Sequence, residues 1–469
     1  MERNIYRMIE NPLDRPTFID ELMTSYESTH SVYSALTKAF RKQKISSKYN
    51  IKDSNDFYIR IYLDWKKSLK ILEEKGYVKE EYKRKLHILN NYLSTQNPTT
   101  KEELLKLTFG AGIDNDELKE ALEDFRWNKI GEYTGWEHIH SNFVNYGLSK
   151  RQKIEHRLYI NCDSTVTHRI IRRFIEKCRE QRSSYYFKFD DFGDRDDNIV
   201  IYSDTGHLIK YIEILRKIIK EEHLEKSIHK PPLATGRIDG WIGYGTEPER
   251  ENSSFNEIRS EHIEYCINKT SYEWMMRNLN TTFLYNHERI TYKEYLIRKL
   301  TQETITYHSK YLGDSQEAKR LRGYGKEDLS SQEMKNRVRR YIEYYFQDIL
   351  LSLKDKSKNL DIKIPIKEKK ISFNQAILEE VRKKQILFMY HNSKRFGKDL
   401  LEEIKSSARN FGIDSESYAC DLYRVKDLKP TEYIPKEPAK VNTTPKRGIM
   451  VYHAMTDEEI EESRKKIGI

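Results

Sequence analysis

The hydrophobic period of the chain changes between Glu155 and Ile263, and this change constrains the fold more than any other feature. On both sides of it, apolar residues recur at three- and four-residue spacing, the signature of amphipathic helix. Inside it, Ser184–Phe189 alternates. That places Tyr185, Phe187 and Phe189 on one strand face and Tyr186 and Lys188 on the other. Arg157–Asn161 and Asn198–Tyr202 predict two further short strands, the second a hairpin partner of the alternating one. Val166–Cys178 and Leu208–Ile219 predict amphipathic helices. The order β-α-β-β-α implies an α+β fold, a small mixed or antiparallel sheet with flanking helices, embedded between largely α-helical segments. We expect a helical module over 1–150, the α+β core over 151–270, a second helical module over 271–430, and an extended tail over 431–469 with a short helix from Thr456.

In the first module, Asn97–Leu105 is a strong helix start, with Thr99 or Thr100 as cap and Glu102 or Glu103 near the third position. Together with Asp116–Ile130 it resembles a helix-turn-helix. The would-be recognition helix carries Asp116, Glu117, Glu120, Glu123 and Asp124 against Lys119, Arg126 and Lys129. Acidic side chains oppose the phosphate contacts that dominate DNA affinity, so this pair predicts a packing module, and nucleic acid is disfavoured as a partner.

The chain is polar, with 37% hydrophobic and 34% charged residues, yet 33 Tyr and 17 Phe supply enough buriable surface for a globular protein. The net charge of +10, spread over 469 residues, does not choose between nucleic acid, phosphorylated targets and acidic peptides. Cys162, Cys178, Cys266 and Cys420 form no C-x-x-C pair, which argues against structural zinc or a disulfide framework and for a reducing, cytoplasmic setting. Met1–Glu10 lacks the apolar core of a signal peptide, and no run approaches 18 apolar residues, so no membrane span is expected. Export by a route without a cleavable signal stays open.

Several charged motifs carry both a chemical and a plain reading. Lys188, inside an aromatic strand, is either a snorkelling edge lysine or a lysine of depressed pKa able to act as a general base. Arg195 and Asp196 end an acidic turn (Asp190, Asp191, Asp194, Asp196, Asp197) whose spacing does not match a calcium loop. The D-F-G in that turn lacks the other kinase motifs. Gly240, Gly243 and Gly245 form a Gly-rich loop before Ser254 and Glu257, which sit in capping-box register with Arg259 one turn on. This is either a phosphate seat or an ordinary helix cap. The basic run Ala318–Lys326 reads as a solvated helix end and loop. The H-I-H at His138 and His140 is too isolated to indicate a metal, and we expect neither a metal nor a cofactor.

Taken together, R-L-Y-I-N (Arg157–Asn161), F-K at Lys188, D-R-D-D-N-I-V-I-Y through Arg195, Pro231–Pro232, G-T-E-P through Glu247 and S-S-F-N-E-I-R (Ser253–Arg259) resemble the HopA-type bacterial effector family. The match covers about 110 residues of the 469 and is carried by Arg157, Tyr159, Asn161, Lys188, Arg195, Asp196, Glu247 and Arg259. Asn256 stands where the family has Gly in S-F-G. That family is known from type III secreted effectors, and relatives occur as lyase-like components of class V lanthipeptide biosynthesis.

The resemblance implies action on phosphorylated Ser or Thr in a protein or precursor peptide, by β-elimination of phosphate. Such a site needs a neutral lysine base, an acid for the leaving phosphate, and arginines to hold it. By residue chemistry we assign Lys188 as base, His156 or His207 as acid, and Arg157, Arg195 and Arg259 as the phosphate clamp. Tyr159, Asn161, Asp196, Glu247 and Ser254 would support them. A kinase partner would fit a biosynthetic role and a secretion chaperone an effector role. A non-catalytic scaffold that binds phosphorylated or acidic partners is the competing reading.

Overall fold

A computed structural model describes residues 5–37, 51–110, 112–125, 136–141, 154–190, 195–248, 253–311, 331–354, 360–366 and 369–428. Asp191–Asp194 of the acidic turn, the basic run Ala318–Lys326, the tail beyond Lys429 and the helix from Thr456 lie outside the described residues. The chain forms two compact units. One takes Met1–Glu264 and the segment that begins at Ile404. The other is built on Tyr265–Glu403.

The first unit opens with α1 (Ile5–Met8), α2 (Phe18–Thr29), α3 (Val32–Thr37), α4 (Ile51–Glu74), α5 (Lys83–Thr95), α6 (Lys101–Phe109) and α7 (Asp116–Phe125). The capping box at α6 is present, with Thr100 and Glu103 as the reciprocal pair. On α7, Leu118, Ala121, Leu122 and Phe125 are buried. Its acidic residues pair with α5: Glu117 with Arg84, Glu120 with Lys85 at 3.4 Å and Asp124 with Lys85 at 2.6 Å. The face that would meet DNA is therefore occupied in packing one helix against another.

A seven-stranded antiparallel sheet follows: β1 (Trp136–His140), β2 (His156–Cys162), β3 (Tyr186–Asp190), β4 (Ile199–Ser203), β5 (Ile228–His229), β6 (Gly236–Ile238) and β7 (Ile242–Thr246). The order across it is β1-β3-β4-β2-β7-β6, with β5 pairing the end of β2. The α+β class is as the alternation implies. β1 falls in a stretch expected to be helical, and β7 occupies what reads as a Gly-rich loop. Glycine is a poor strand former, which hides β7. Its glycines admit neighbours instead. A Cβ at Gly243 would lie 2.7 Å from Pro231, and one at Gly245 would lie 2.7 Å from the Phe255 ring.

Helices α8 (Ser164–Glu180) and α9 (Thr205–Glu221) cover one face of the sheet. Phe174 on α8 meets Phe187 edge-on at 5.9 Å and Tyr211 on α9 at 5.3 Å. Leu158, Ile160, Ile199, Ile201, Ile242 and Tyr244 complete this core. Full burial of each large apolar side chain contributes roughly 1.5–3 kcal/mol, which fixes the strand register, since a one-residue slip would turn Lys188 into the core.

The second unit contains most of α10 (Phe255–Asn278), a hairpin of β8 (Thr282–Tyr285) and β9 (Glu288–Thr291), and α11 (Tyr292–Tyr311). Helices Gln332–Tyr344 and Phe346–Lys354, a second hairpin of β10 (Ile362–Ile366) and β11 (Lys369–Phe373), and the helix Gln375–Asn392 follow. The two hairpins interrupt a region whose sequence reads as continuous helix. The first turns on Asn286 and His287, both at positive φ (48° and 66°), the two-residue geometry that matches strand twist.

Candidate functional site

The open chemistry of the first unit lies on the sheet face opposite α8 and α9. Strand register sorts that face into two rows. One runs His138, Lys188, Val200, Tyr159, Gly243, Arg237 across β1, β3, β4, β2, β7 and β6. The next runs His140, Tyr186, Tyr202, Arg157, Gly245. Lys188 and Arg157 thus lie on either side of β4 and one row apart, a backbone separation of about 12 Å.

Arg157 is buried and grips Glu247 with two nitrogens, Nε to Oε2 and Nη2 to Oε1, the latter at 2.7 Å. Its guanidinium lies 5.3 Å over the Tyr202 ring, which stacks on Tyr186 at 4.6 Å. Burial opposes the charge on Arg157, but Tyr159, Glu247 and Tyr202 outweigh it and raise its pKa above the usual arginine value. At the rim, Arg195 holds Asp197 in the same two-pronged way, Nε at 2.8 Å and Nη2 at 3.2 Å. Asn161 donates to Asp196 at 3.0 Å and to the Lys230 carbonyl at 2.6 Å. The Asp196 amide donates to the Thr37 carbonyl of α3 at 3.1 Å, which ties this rim to the N-terminal helices.

Lys188 is half-buried in this setting. Burial is the largest influence on it, and the charge of Arg157 is the next. Asp197 and Glu247 pull the other way, and the pKa is held down to about 8. A desolvated lysine beside fixed guanidinium groups is the arrangement that makes an amine basic enough and neutral enough to take a proton.

The sheet face does not gather every nominated residue. His156 is fully buried on the helix-covered side, where its ring nitrogens meet the Tyr244 hydroxyl at 2.9 Å and the Thr205 hydroxyl at 3.0 Å. Strand alternation puts it there, one residue out of phase with Arg157. His207 sits at the start of α9, bound to the capping Asp204 at 2.7 Å. Neither is brought to Lys188.

Arg259 is fully buried, 2.8 Å from Asp421, donating to the Tyr418 carbonyl at 2.9 Å and stacked 4.4 Å from the Phe255 ring. Its counter-charge comes from the far end of the chain, and its role here is to lock that segment onto α10. Ser254 caps α10 through a reciprocal pair with Glu257 at 3.2 and 2.5 Å, so a carboxylate already occupies that helix start. Tyr159 is buried under Phe255, their rings 6.0 Å apart.

Three side chains on this face carry no sequence nomination: Tyr186, Tyr202 and His140, whose ring meets Tyr186 at 6.5 Å. A signal for His140 was available. H-I-H has strand period, and a strand there puts His140 on the face of Lys188. Among the described residues no cluster of three or more His, Cys, Asp or Glu could hold a metal ion, and no helix is long and apolar enough to cross a membrane.

These features define an α+β unit whose sheet presents one apolar face to α8 and α9 and, on the other side, an aromatic and charged face in which Arg157, Tyr159 and Tyr202 are buried. No family model matches the chain, and no curated protein is significantly similar to it. Among solved structures, an effector protein from Pseudomonas syringae pv. tomato strain DC3000 matches at 15% identity over 45% of this chain and 88% of that one, with a TM-score of 0.24. At that score the likeness carries no argument about fold or activity.

Proposed function

We propose that the sheet face opposite α8 and α9 is a lyase site for phosphoserine or phosphothreonine in a protein or precursor peptide, the activity that the HopA-type resemblance implies. The observation that carries this reading is Lys188, with its pKa held near 8 on a rigid strand between Arg157 and Arg195. Neutral Lys188 would take the α-proton of the phosphorylated residue. The electron pair of that C–H bond forms the Cα–Cβ double bond as the Cβ–O bond breaks, releasing phosphate and leaving a dehydroamino acid.

Arg157 and Arg195 would hold the phosphate through the donors their carboxylates do not use, since a guanidinium carries five N–H groups. His140, whose ring meets Tyr186 at 6.5 Å, would protonate the departing oxygen. The described face offers no imidazole from His156 or His207 for that step.

A second reading rests on a different observation. Both arginines are already paired with carboxylates, Glu247 and Asp197, so the face is close to neutral and suits a module that exchanges these partners for a phosphorylated or acidic ligand without chemistry. Incubation with phosphothreonine peptides, followed by mass spectrometry, separates the two. Loss of the elements of phosphoric acid, abolished by Lys188→Ala, is the lyase outcome. Peptide that binds and is recovered intact is the scaffold outcome.

A further inference from the structure

We infer that the second unit contains a binding site for a small carboxylate, separate from the sheet face of the first. The site is a cavity where α10 meets the helix Gln375–Asn392, lined by Asn268, Ser271, Tyr272, Leu353, Arg382 and Gln385. On α10, Asn268, Ser271, Tyr272 and Met275 follow the i, i+3, i+4, i+7 spacing of a packed helix face. Two of those four inward positions are polar, which packing alone does not require.

Three side-chain atoms of these lining residues can donate and have no partner. The side-chain nitrogen of Asn268, the hydroxyl of Ser271 and the side-chain nitrogen of Gln385 are buried without a hydrogen-bond partner. Ser271 is 8% exposed and Gln385 is 5% exposed, so water does not reach them freely. Burying a donor without an acceptor destabilises a fold, so three around one cavity call for an acceptor in that space, a ligand or a water. Arg382 adds a positive charge to the same wall. It is held in place by the carbonyls of Leu353 at 3.3 Å and Ser352 at 3.0 Å.

The occupant must therefore accept hydrogen bonds, carry negative charge and be small. A carboxylate of formate or acetate size, or the same group at the end of a short ligand, meets all three conditions. A carboxylate has about four lone-pair sites, enough for the three donors and a guanidinium edge. A cation or an apolar ligand would leave every one of these donors unsatisfied.

The test uses the full chain. Thermal unfolding is followed during titration with sodium formate and sodium acetate at constant ionic strength, with sodium chloride as the reference salt. The expected result is a midpoint that rises with carboxylate and not with chloride, and an apparent affinity about tenfold weaker in Ser271→Ala, as for the loss of one such hydrogen bond. Gln385→Leu should abolish the response, and Ser271→Ala supplies the answer if that variant fails to fold. A midpoint indifferent to carboxylate, with Gln385→Leu as stable as the parent or more so, would mean the cavity holds water only and would overturn the assignment. Phosphothreonine lyase activity is measured alongside, and the outcome here does not depend on it.

Discussion

Arg157 on β2 and Glu247 just beyond β7 form a two-pronged ion pair that spans neighbouring strands, with the guanidinium buried and the carboxylate half-buried. The pair sets the position of the guanidinium against Tyr202 and its influence on Lys188. Removing one partner leaves a buried charge uncompensated, which costs roughly 3–5 kcal/mol in fully buried pairs. We expect Glu247→Gln to destabilise the first unit by an amount at the lower end of that range, since its side chain is 22% exposed. Urea unfolding midpoints measure this, and a Glu247→Gln midpoint equal to the parent's would contradict it.

Lys188 should make activity and stability respond to pH in a linked way. Its pKa falls from 10.5 in the unfolded chain to about 8 in the fold, so between those values the unfolded state binds more protons and stability rises with pH. Below about pH 8 both states are protonated and the fold carries the full cost of the buried charge, roughly 3 kcal/mol by the size of the shift. Lys188→Met is therefore expected to abolish turnover while leaving the protein as stable at pH 7, or more stable. The parent's kcat/KM should climb as pH passes through about 8. A variant both inactive and markedly destabilised at pH 7 would assign Lys188 to structure.

Two glycines near β7 should fail for different reasons. Gly245→Ala pushes a methyl into the Phe255 ring, and overpacking of this kind costs roughly 1–3 kcal/mol. Gly240 has open space around it but a φ of +78°, so Gly240→Ala is strained through its backbone while Gly240→Asn is better tolerated. Thermal midpoints of Gly245→Asn and Gly240→Asn should separate widely, with Gly245→Asn the lower.

Histidines on opposite faces of the sheet should part company in assays. His156→Phe removes the hydrogen bonds to the Tyr244 and Thr205 hydroxyls, at a cost of roughly 0.5–1.5 kcal/mol each, while Thr205 keeps its bond to Glu155 at 2.9 Å. It should leave the pH profile of any turnover unchanged. His140→Phe keeps the ring contact with Tyr186 and should lower kcat without a comparable loss of stability. If a folded His156→Phe protein loses the alkaline limb of the profile and His140→Phe does not, the assignment of His140 is wrong.

What was legible in the sequence was whatever depends on local period. The Tyr185–Phe189 alternation placed Lys188 opposite the core, and the spacing in α8 and α9 marked the helices that cover the other face. The His156 error in phase was also local: one residue along from Arg157 in a strand means the opposite face. What could not be read depends on partners distant in the chain. The Gly243 and Gly245 positions make sense only once Pro231 and Phe255 are seen against them. Arg259 looked like a phosphate ligand because its carboxylate, Asp421, has no sequence mark that ties it to α10. β1 was missed because five residues with two histidines are too short a signal to overrule a helical neighbourhood.

The bond from Arg259 to the Tyr418 carbonyl joins residues 159 positions apart, and Tyr265–Glu403 of the second unit is threaded between them. During synthesis the ribosome therefore releases the sheet and α10 long before the segment that neutralises Arg259, and a buried guanidinium without its carboxylate is costly. Residues Tyr265–Glu403 of the second unit emerge before the segment that supplies Asp421. Until Asp421 emerges, the sheet-bearing unit lacks the carboxylate that compensates the buried Arg259 guanidinium.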